Sequence, residues 1–367
     1  MDDYTVKKYF EEINDPRQPW KTNHNLHEII IMTICAVISD FNHWEDIVDF
    51  CKVKENWFKE RLGLELKHGI ASHDIFQRIF QIINPKEMEH SFISWVKTIA
   101  IKTNNKIVSI DGKTLKRSQN GETNAIHMVS AWANKNQLVL GQVKTGEKSN
   151  EITAIPTLLD LLDLRDCIVT IDAMGCQKEI AKKIVAQEAD YVFGLKGNQI
   201  SLYEDVCLYF EKEIVENKKV TNDRGHGRFE CRAYSLETDV EWLSQKSDWS
   251  GLNAVGMVKS TVEEKGKITE ETRFFITSLT DIDKFVDAVR GYWGVETSLH
   301  YCLDVTFGED ANCTRKDNSA ENFAVVCHIA LNVLKKFVAP KMSLARKRRK
   351  CQYDADFMAD VLLSSIL

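Results

Sequence analysis

The sequence predicts an α/β protein in which a helical N-terminal domain precedes a mixed sheet flanked by helices, with a β-rich insertion late in the chain. Three observations carry this. Apolar residues recur at spacings of three and four through residues 4–103. Short apolar runs of strand length begin at Lys106. Helical and strand patterns then alternate as far as residue 200, the mark of a sheet with helices packed on it.

The helical pattern resolves into residues 4–13, 26–41, 44–62, 74–83 and 86–101, with Ser72 placed to cap the fourth and Asn84-Pro85 closing it. Residues 106–111 (KIVSID) read as a buried strand, and 126–132 with 138–143 read as a hairpin turning at Lys135-Asn136. Residues 151–164 are helical, 167–172 (CIVTID) form a strand, 178–188 a helix and 191–195 a strand. Alternation at 229–236, 251–261 and 273–279 gives the β-rich insertion. A helix start at Thr280–Asp283 leads to a helix reaching Cys302. A further apolar helix covers 322–337, and a basic run precedes a last helix at 355–363. The domain division is therefore 1–103, 104–200, 201–280 as the insertion, 281–340 and a basic tail at 341–367.

Composition narrows the class. Charged residues are 28% and hydrophobic ones 44% of 367 residues, as in an ordinary globular protein of two or three domains. No apolar run reaches the ~18 residues of a membrane span, and the first ten residues have no signal-peptide core, so a cytoplasmic protein without membrane contact is expected. Ten cysteines without a CxxC pair read as reduced thiols rather than a zinc site. A net charge of −6 does not itself point to nucleic acid, although Arg346, Lys347, Arg348, Arg349 and Lys350 form one concentrated basic run.

Two carboxylates stand in equivalent places. Asp111 ends one buried strand and Asp172 ends another. Carboxylates on adjacent strand ends repel unless a cation lies between them, and hard divalent ions prefer such oxygen ligands. Glu296 lies in Tyr292-Trp293-Gly294-Val295-Glu296-Thr297-Ser298-Leu299-His300, where Tyr292, Glu296 and His300 are four apart and share one helix face. Trp293, Leu299 and Leu303 would pack the helix on the sheet, so that Glu296 projects toward the aspartates. Three carboxylates suffice to hold two metal ions of the kind that cleave phosphodiesters. Glu309 and Asp310 compete for the third place, but they follow Gly308, where the helix has ended.

The chain resembles an insertion-sequence DDE transposase of the H-repeat-associated type along nearly its whole length. The resemblance rests on Phe10 with Asp15-Pro16-Arg17, Ile110-Asp111-Gly112-Lys113, His127 with Ser130-Ala131-Trp132, and the block from Ser149-Asn150-Glu151 to Pro156. It continues in Leu195-Lys196-Gly197-Asn198-Gln199, His226-Gly227-Arg228, the Glu296 block and Leu303-Asp304-Val305-Thr306-Phe307-Gly308-Glu309-Asp310. It implies an RNase H-like mixed-sheet core, catalysis by Asp111, Asp172 and Glu296, and two magnesium ions for which manganese can substitute. It also implies cutting of double-stranded DNA at element ends and joining of the 3′-hydroxyls to target DNA, by a homo-oligomer. The alternatives are an inactive DNA-binding relic and a nuclease without strand transfer.

The wider superfamily places Tyr, Arg and Lys around the Glu. Val289, Tyr292 and Leu303 stand there instead, which turns attention to Arg290, His300 and Arg315. Further candidates for DNA contact are Lys113, Lys116 and Arg117 after the first acid, Lys196 and Asn198 after the last core strand, His226 and Arg228 at a hairpin, and the run 346–350. Glu151 is weighed as an orienting residue against a plain first-turn acid favoured by the helix dipole.

Overall fold

The computed structural model describes residues 6–100, 107–119, 125–146, 150–225 and 227–363. Among the described residues six helices come first: α1 (Val6–Phe10), α2 (Leu26–Ile38), α3 (Trp44–Val53), α4 (Glu55–Leu62), α5 (His73–Ile82) and α6 (Pro85–Ala100). Asn25 caps α2, accepting from the N–H groups of His27 and Glu28 at 2.8 and 3.3 Å. Residues 44–62 do not form one helix as expected. The break at Lys54 folds α4 back, so that Phe58 meets Phe50 with ring centroids 6.1 Å apart; a straight helix would separate residues eight apart by ~12 Å. Ser72 occupies the N-cap of α5 without a side-chain capping bond.

Nine strands among the described residues form one sheet: β1 (Ile107–Thr114), β2 (His127–Ala133), β3 (Leu138–Lys144), β4 (Ile168–Ile171), β5 (Asp190–Leu195), β6 (Lys218–Gly225), β7 (Arg228–Glu237), β8 (Ala254–Glu264) and β9 (Lys267–Thr277). Their spatial order is β3-β2-β1-β4-β5-β9-β8-β7-β6. The central β1, β4 and β5 run parallel; all other pairs are antiparallel. The insertion thus continues the central sheet through the β5–β9 pairing. Strand β6 exposes nearly all its residues, so it carries no alternation to read and is fixed by pairing with β7.

Helices α7 (Glu151–Leu161) and α8 (Lys178–Ala186) cover one face, burying Val108 and Ile110 of β1, Val169 and Ile171 of β4, and Tyr191 and Phe193 of β5. Helix α9 (Ile200–Lys212) falls where no helix was expected, because it buries only Leu202 and Val206. On the other face α10 (Ile282–Val295) packs Phe285 and Val289 against Ile168, Val192 and Tyr234. Its path continues through two π-helical turns, Glu296–His300 and Cys302–Thr306, and stops before Gly308 at φ 65°.

Helices α11 (Ser319–Lys336), α12 (Leu344–Tyr353) and α13 (Ala355–Leu363) join the N-terminal helices in one core. The basic run is therefore the middle of α12 rather than a tail. No helix among the described residues is long and apolar enough to cross a membrane. The ten cysteines form no disulfide, and Cys313 alone of them is exposed.

Candidate active site

Parallel pairing of β1 with β4 sets Ile110 opposite Ile171, so the residues that follow, Asp111 and Asp172, stand beside each other; Asp172 ends its strand as expected, but Asp111 does not, because β1 stays paired with β2 as far as Thr114. Asp172 Oδ1 accepts from the N–H groups of Met174 and Gly175 at 2.9 and 3.2 Å, which holds the turn after β4. Asp111 Oδ1 accepts from the Tyr292 hydroxyl at 3.3 Å, and its Oδ2 lies 3.6 Å from His300 Nδ1. Removal from water pushes the Asp111 carboxyl up to about 7, and the charges of Glu151 and Asp172 add to the rise. Asp172 is raised by the same burial, with Glu151 again adding to it. Burial, reinforced by the charge of Lys113, holds His300 down at about 4, so its imidazole is neutral at neutral pH. Its Nε2 is buried without a hydrogen-bond partner among the described residues.

Tyr292 and His300 thus reach Asp111, but Glu296 between them is exposed. The expected common face is altered by the π turn that begins at Glu296: the wider turn brings His300 back over Tyr292. Packing differs too. Leu299 and Leu303 bury in the helical core shared by the chain ends, whereas Trp293 of α10 packs against the sheet under the guanidinium groups of Arg232 in β7 and Arg273 in β9, 4.5 and 5.2 Å from its ring centre.

Glu151 has a larger place here than its sequence suggested. It opens α7, and its Oε1 accepts from His127 Nε2 at 2.7 Å. It also comes over Gly112: a Cβ at that position would lie 2.1 Å from Glu151 Oε1 and 2.4 Å from His127 Nε2. The sequence marks the spot only by a glycine, Gly112, directly after Asp111, and the structure shows that this position admits no side chain.

The candidates for DNA contact are placed very differently from one another. Lys113 is half-buried, 2.5 Å from Asp304 and ion-paired with Glu309. Glu309 itself is buried, not displayed on a free loop. Lys116 is exposed and pairs with Asp310 at 2.6 Å; Arg117 and Arg315 are exposed beside Cys313. Lys196 is exposed near Asp172, whose acidity its charge increases, while Asn198 donates to the Ala173 carbonyl at 2.6 Å and braces that turn. Arg228 begins β7 and pairs with Glu230 at 3.2 Å; His226 lies outside the described residues. Arg290 is engaged by Asp223 at 3.0 Å and Thr221 at 3.1 Å.

In α12, Arg346 and Arg349 are exposed, and Lys350 is 3.5 Å from Asp354. Lys347 and Arg348 are corrections to the phosphate-facing run, because both are buried. Lys347 donates to the carbonyls of Leu334 and Phe337, and Arg348 pairs with Asp40 at 2.8 Å while donating to the Val37 carbonyl.

Among the described residues no three His, Cys, Asp or Glu side chains are gathered tightly enough to cage an ion. The donor chemistry nevertheless fits magnesium. Asp111, Asp172 and Glu151 are carboxylates close enough to act on one another's charge, and Gly112 keeps the space beside them free of a side chain. Magnesium commonly binds through one or two carboxylates together with substrate phosphates, without a cage made by protein alone.

Residues 7–96 match the DDE_Tnp_1-associated family, and residues 102–333 match the transposase DDE domain family. The chain is 38% identical to the "H repeat-associated putative transposase YhhI" of Escherichia coli (strain K12), over 98% of this chain and 99% of that one. It is also 38% identical to the "Putative transposase YncI" of Escherichia coli O157:H7, over 97% and 94% of the two chains. A solved structure, the piggyBac transposase synaptic complex with hairpin DNA, overlaps at TM-score 0.42 and 14% identity across 97% of this chain and 77% of its own, too loosely to bear on chemistry. With family matches across most of its length and near full-length relatives, this chain belongs to the insertion-sequence DDE transposases of the H-repeat-associated type.

Proposed function

We propose that the protein cuts phosphodiester bonds at insertion-sequence ends and joins the freed 3′-hydroxyls to target DNA, acting as a homo-oligomer on double-stranded DNA. The observation that carries this is the placement of Asp111 and Asp172 side by side, each directly after the last paired residue of the parallel β1–β4 ladder. The strand order β3-β2-β1-β4-β5, with the first three antiparallel and the last two parallel to β1, supports an RNase H-like core.

Asp111, Asp172 and Glu296 would hold two magnesium ions, which manganese could replace. Such ions supply Lewis acidity for the attacking and leaving oxygens of the phosphodiester. Tyr292 orients Asp111 through its hydroxyl, and neutral His300 adds no charge that would compete with a cation. Lys196, exposed beside Asp172, is placed to bind a DNA phosphate. Glu296 must close on the aspartates when DNA fills the site.

The test is single-turnover cleavage of an end-containing duplex in saturating magnesium. Asp111→Asn should abolish cleavage while sparing DNA binding. Glu296→Gln should lose at least ~100-fold, on the order of 2.7 kcal/mol of transition-state stabilisation. Substantial magnesium-dependent cleavage by Asp111→Asn would refute the assignment.

A further inference from the structure

We infer that Glu151 is a fourth carboxylate of the metal site, binding a divalent cation through Oε2 while His127 fixes Oε1; this rests on the reading of Asp111 and Asp172 as metal ligands. Two features of the fold converge on it. The first is position. Glu151 opens α7 at the end of the sheet where β1 and β4 deliver the two aspartates, and its carboxylate lies against Gly112, the residue after Asp111. A methyl group at position 112 would meet Glu151 Oε1 at 2.1 Å, so glycine is what lets this acid approach the strand.

The second feature is orientation. Thr114 Oγ1 and His127 Nδ1 are 2.8 Å apart, and His127 Nε2 is 2.7 Å from Glu151 Oε1. With the Thr114 hydroxyl donating to Nδ1, Nε2 carries the proton and donates to the carboxylate. A chain of this kind, in which an outer partner fixes one oxygen and leaves the other to a cation, is how protein metal ligands are oriented. Starting a helix needs no such arrangement, since a first-turn acid facing solvent serves the dipole equally well.

The experiment is Mn²⁺ binding to the full chain without DNA, followed by electron paramagnetic resonance. Glu151→Gln keeps an amide for His127 to bond, so a purely structural role survives the change, whereas a ligand role loses its charge. Glu151→Gln should bind Mn²⁺ at least about tenfold more weakly, with an unchanged melting temperature in EDTA. Gly112→Ala retains every carboxylate but displaces Glu151, and it should weaken Mn²⁺ in the same direction. Wild-type Mn²⁺ affinity in Glu151→Gln, with affinity lost in Asp111→Asn, overturns the role of Glu151 and leaves the aspartate site standing. Unchanged affinity in both overturns the two readings together.

Discussion

At Asp111 burial and neighbouring carboxylates act in the same direction, and the consequence is a carboxyl that resists ionisation. The folded carboxyl titrates at about 7, against 3.8 for the ordinary group, so metal-free folded protein holds an extra proton between those values. That proton favours the folded state below about 4, and the stabilisation is lost as pH rises through about 7. Metal-free protein should therefore melt lower at pH 8.5 than at pH 6.5. Asp111→Asn should lose part of that decline, while Glu89, pushed up to about 8 by burial, retains the rest. Mn²⁺ affinity should climb across the same interval, because the ligand must first lose its proton. Melting curves in EDTA and binding curves over this range check both, and identical pH slopes in wild type and Asp111→Asn would contradict the assignment of the proton. Asp111 and Asp172 were legible in the sequence because an acid ending an apolar strand is costly without a partner. Glu151 was not, because a first-turn acid already has a sufficient local explanation and its contact with Gly112 depends on how α7 sits over β1.

Elements whose partners are distant in sequence were the hardest to read. Helix α12 shows why: five consecutive basic residues resemble a solvated patch, yet successive side chains on a helix point about 100° apart and cannot all face one way. Lys347 and Arg348 turn inward, and Arg348 ties α12 to α2 and to the π-helical segment through Val37, Asp40 and the ring of Phe307, 4.1 Å from its guanidinium carbon. Arg346 and Arg349 face solvent. Replacement of the whole run would confuse these roles, so they are separated. Arg348→Ala should destabilise the fold by about 2–4 kcal/mol, since it strands Asp40 and several carbonyls. The pair Arg346→Gln and Arg349→Gln should leave stability within ~0.5 kcal/mol. It should weaken binding to all duplex DNA alike and flatten the log–log salt dependence by up to ~0.9 per lost phosphate contact. Urea unfolding and a salt titration of DNA binding distinguish them; an unaltered salt slope in the double variant would remove α12 from the DNA surface. The break between α3 and α4, and the π turns after α10, were equally hidden, because each answers to a tertiary contact rather than to local periodicity.

Across the whole molecule, the order of helix and strand was legible for most of the chain, but the grouping of those elements was not. Periodicity reports which face of an element is apolar and says nothing of which distant segment covers it. Helices α2 and α11 make the point. Both are buried nearly all round, α2 from Ile29 to Ile38 and α11 from Asn322 to Leu334, and such a helix needs partners on every side. Helix α11 obtains them from both parts of the chain. Asn332 bonds the backbone N–H and carbonyl of Val139 in β3, both at 2.8 Å, while Asn322 donates to the carbonyls of Phe80 and Ile83 at the end of α5. Phe323 meets Trp44 of α3 edge-on, with ring centroids 5.4 Å apart. The division at residue 103 read from the sequence therefore cuts through one core. Removing residues 1–100 would strip α11 of α2, α3, α5 and α6 and uncover Leu299, Leu303 and Phe307 just beyond the proposed catalytic Glu296. Apolar exposure on that scale far exceeds the few hundred Å² that a soluble monomer tolerates. The fragment 104–367 is thus expected to be insoluble or to lack fixed packing, with far-ultraviolet circular dichroism retained and the near-ultraviolet signal lost. It should also fail to bind Mn²⁺ at the aspartates, since Tyr292 and His300 would no longer be held on a helix packed at both ends. Soluble yield, gel filtration and circular dichroism decide the matter. A monomeric fragment that melts cooperatively within a few degrees of the full chain would show that the helices at the start of the chain form a separable unit after all.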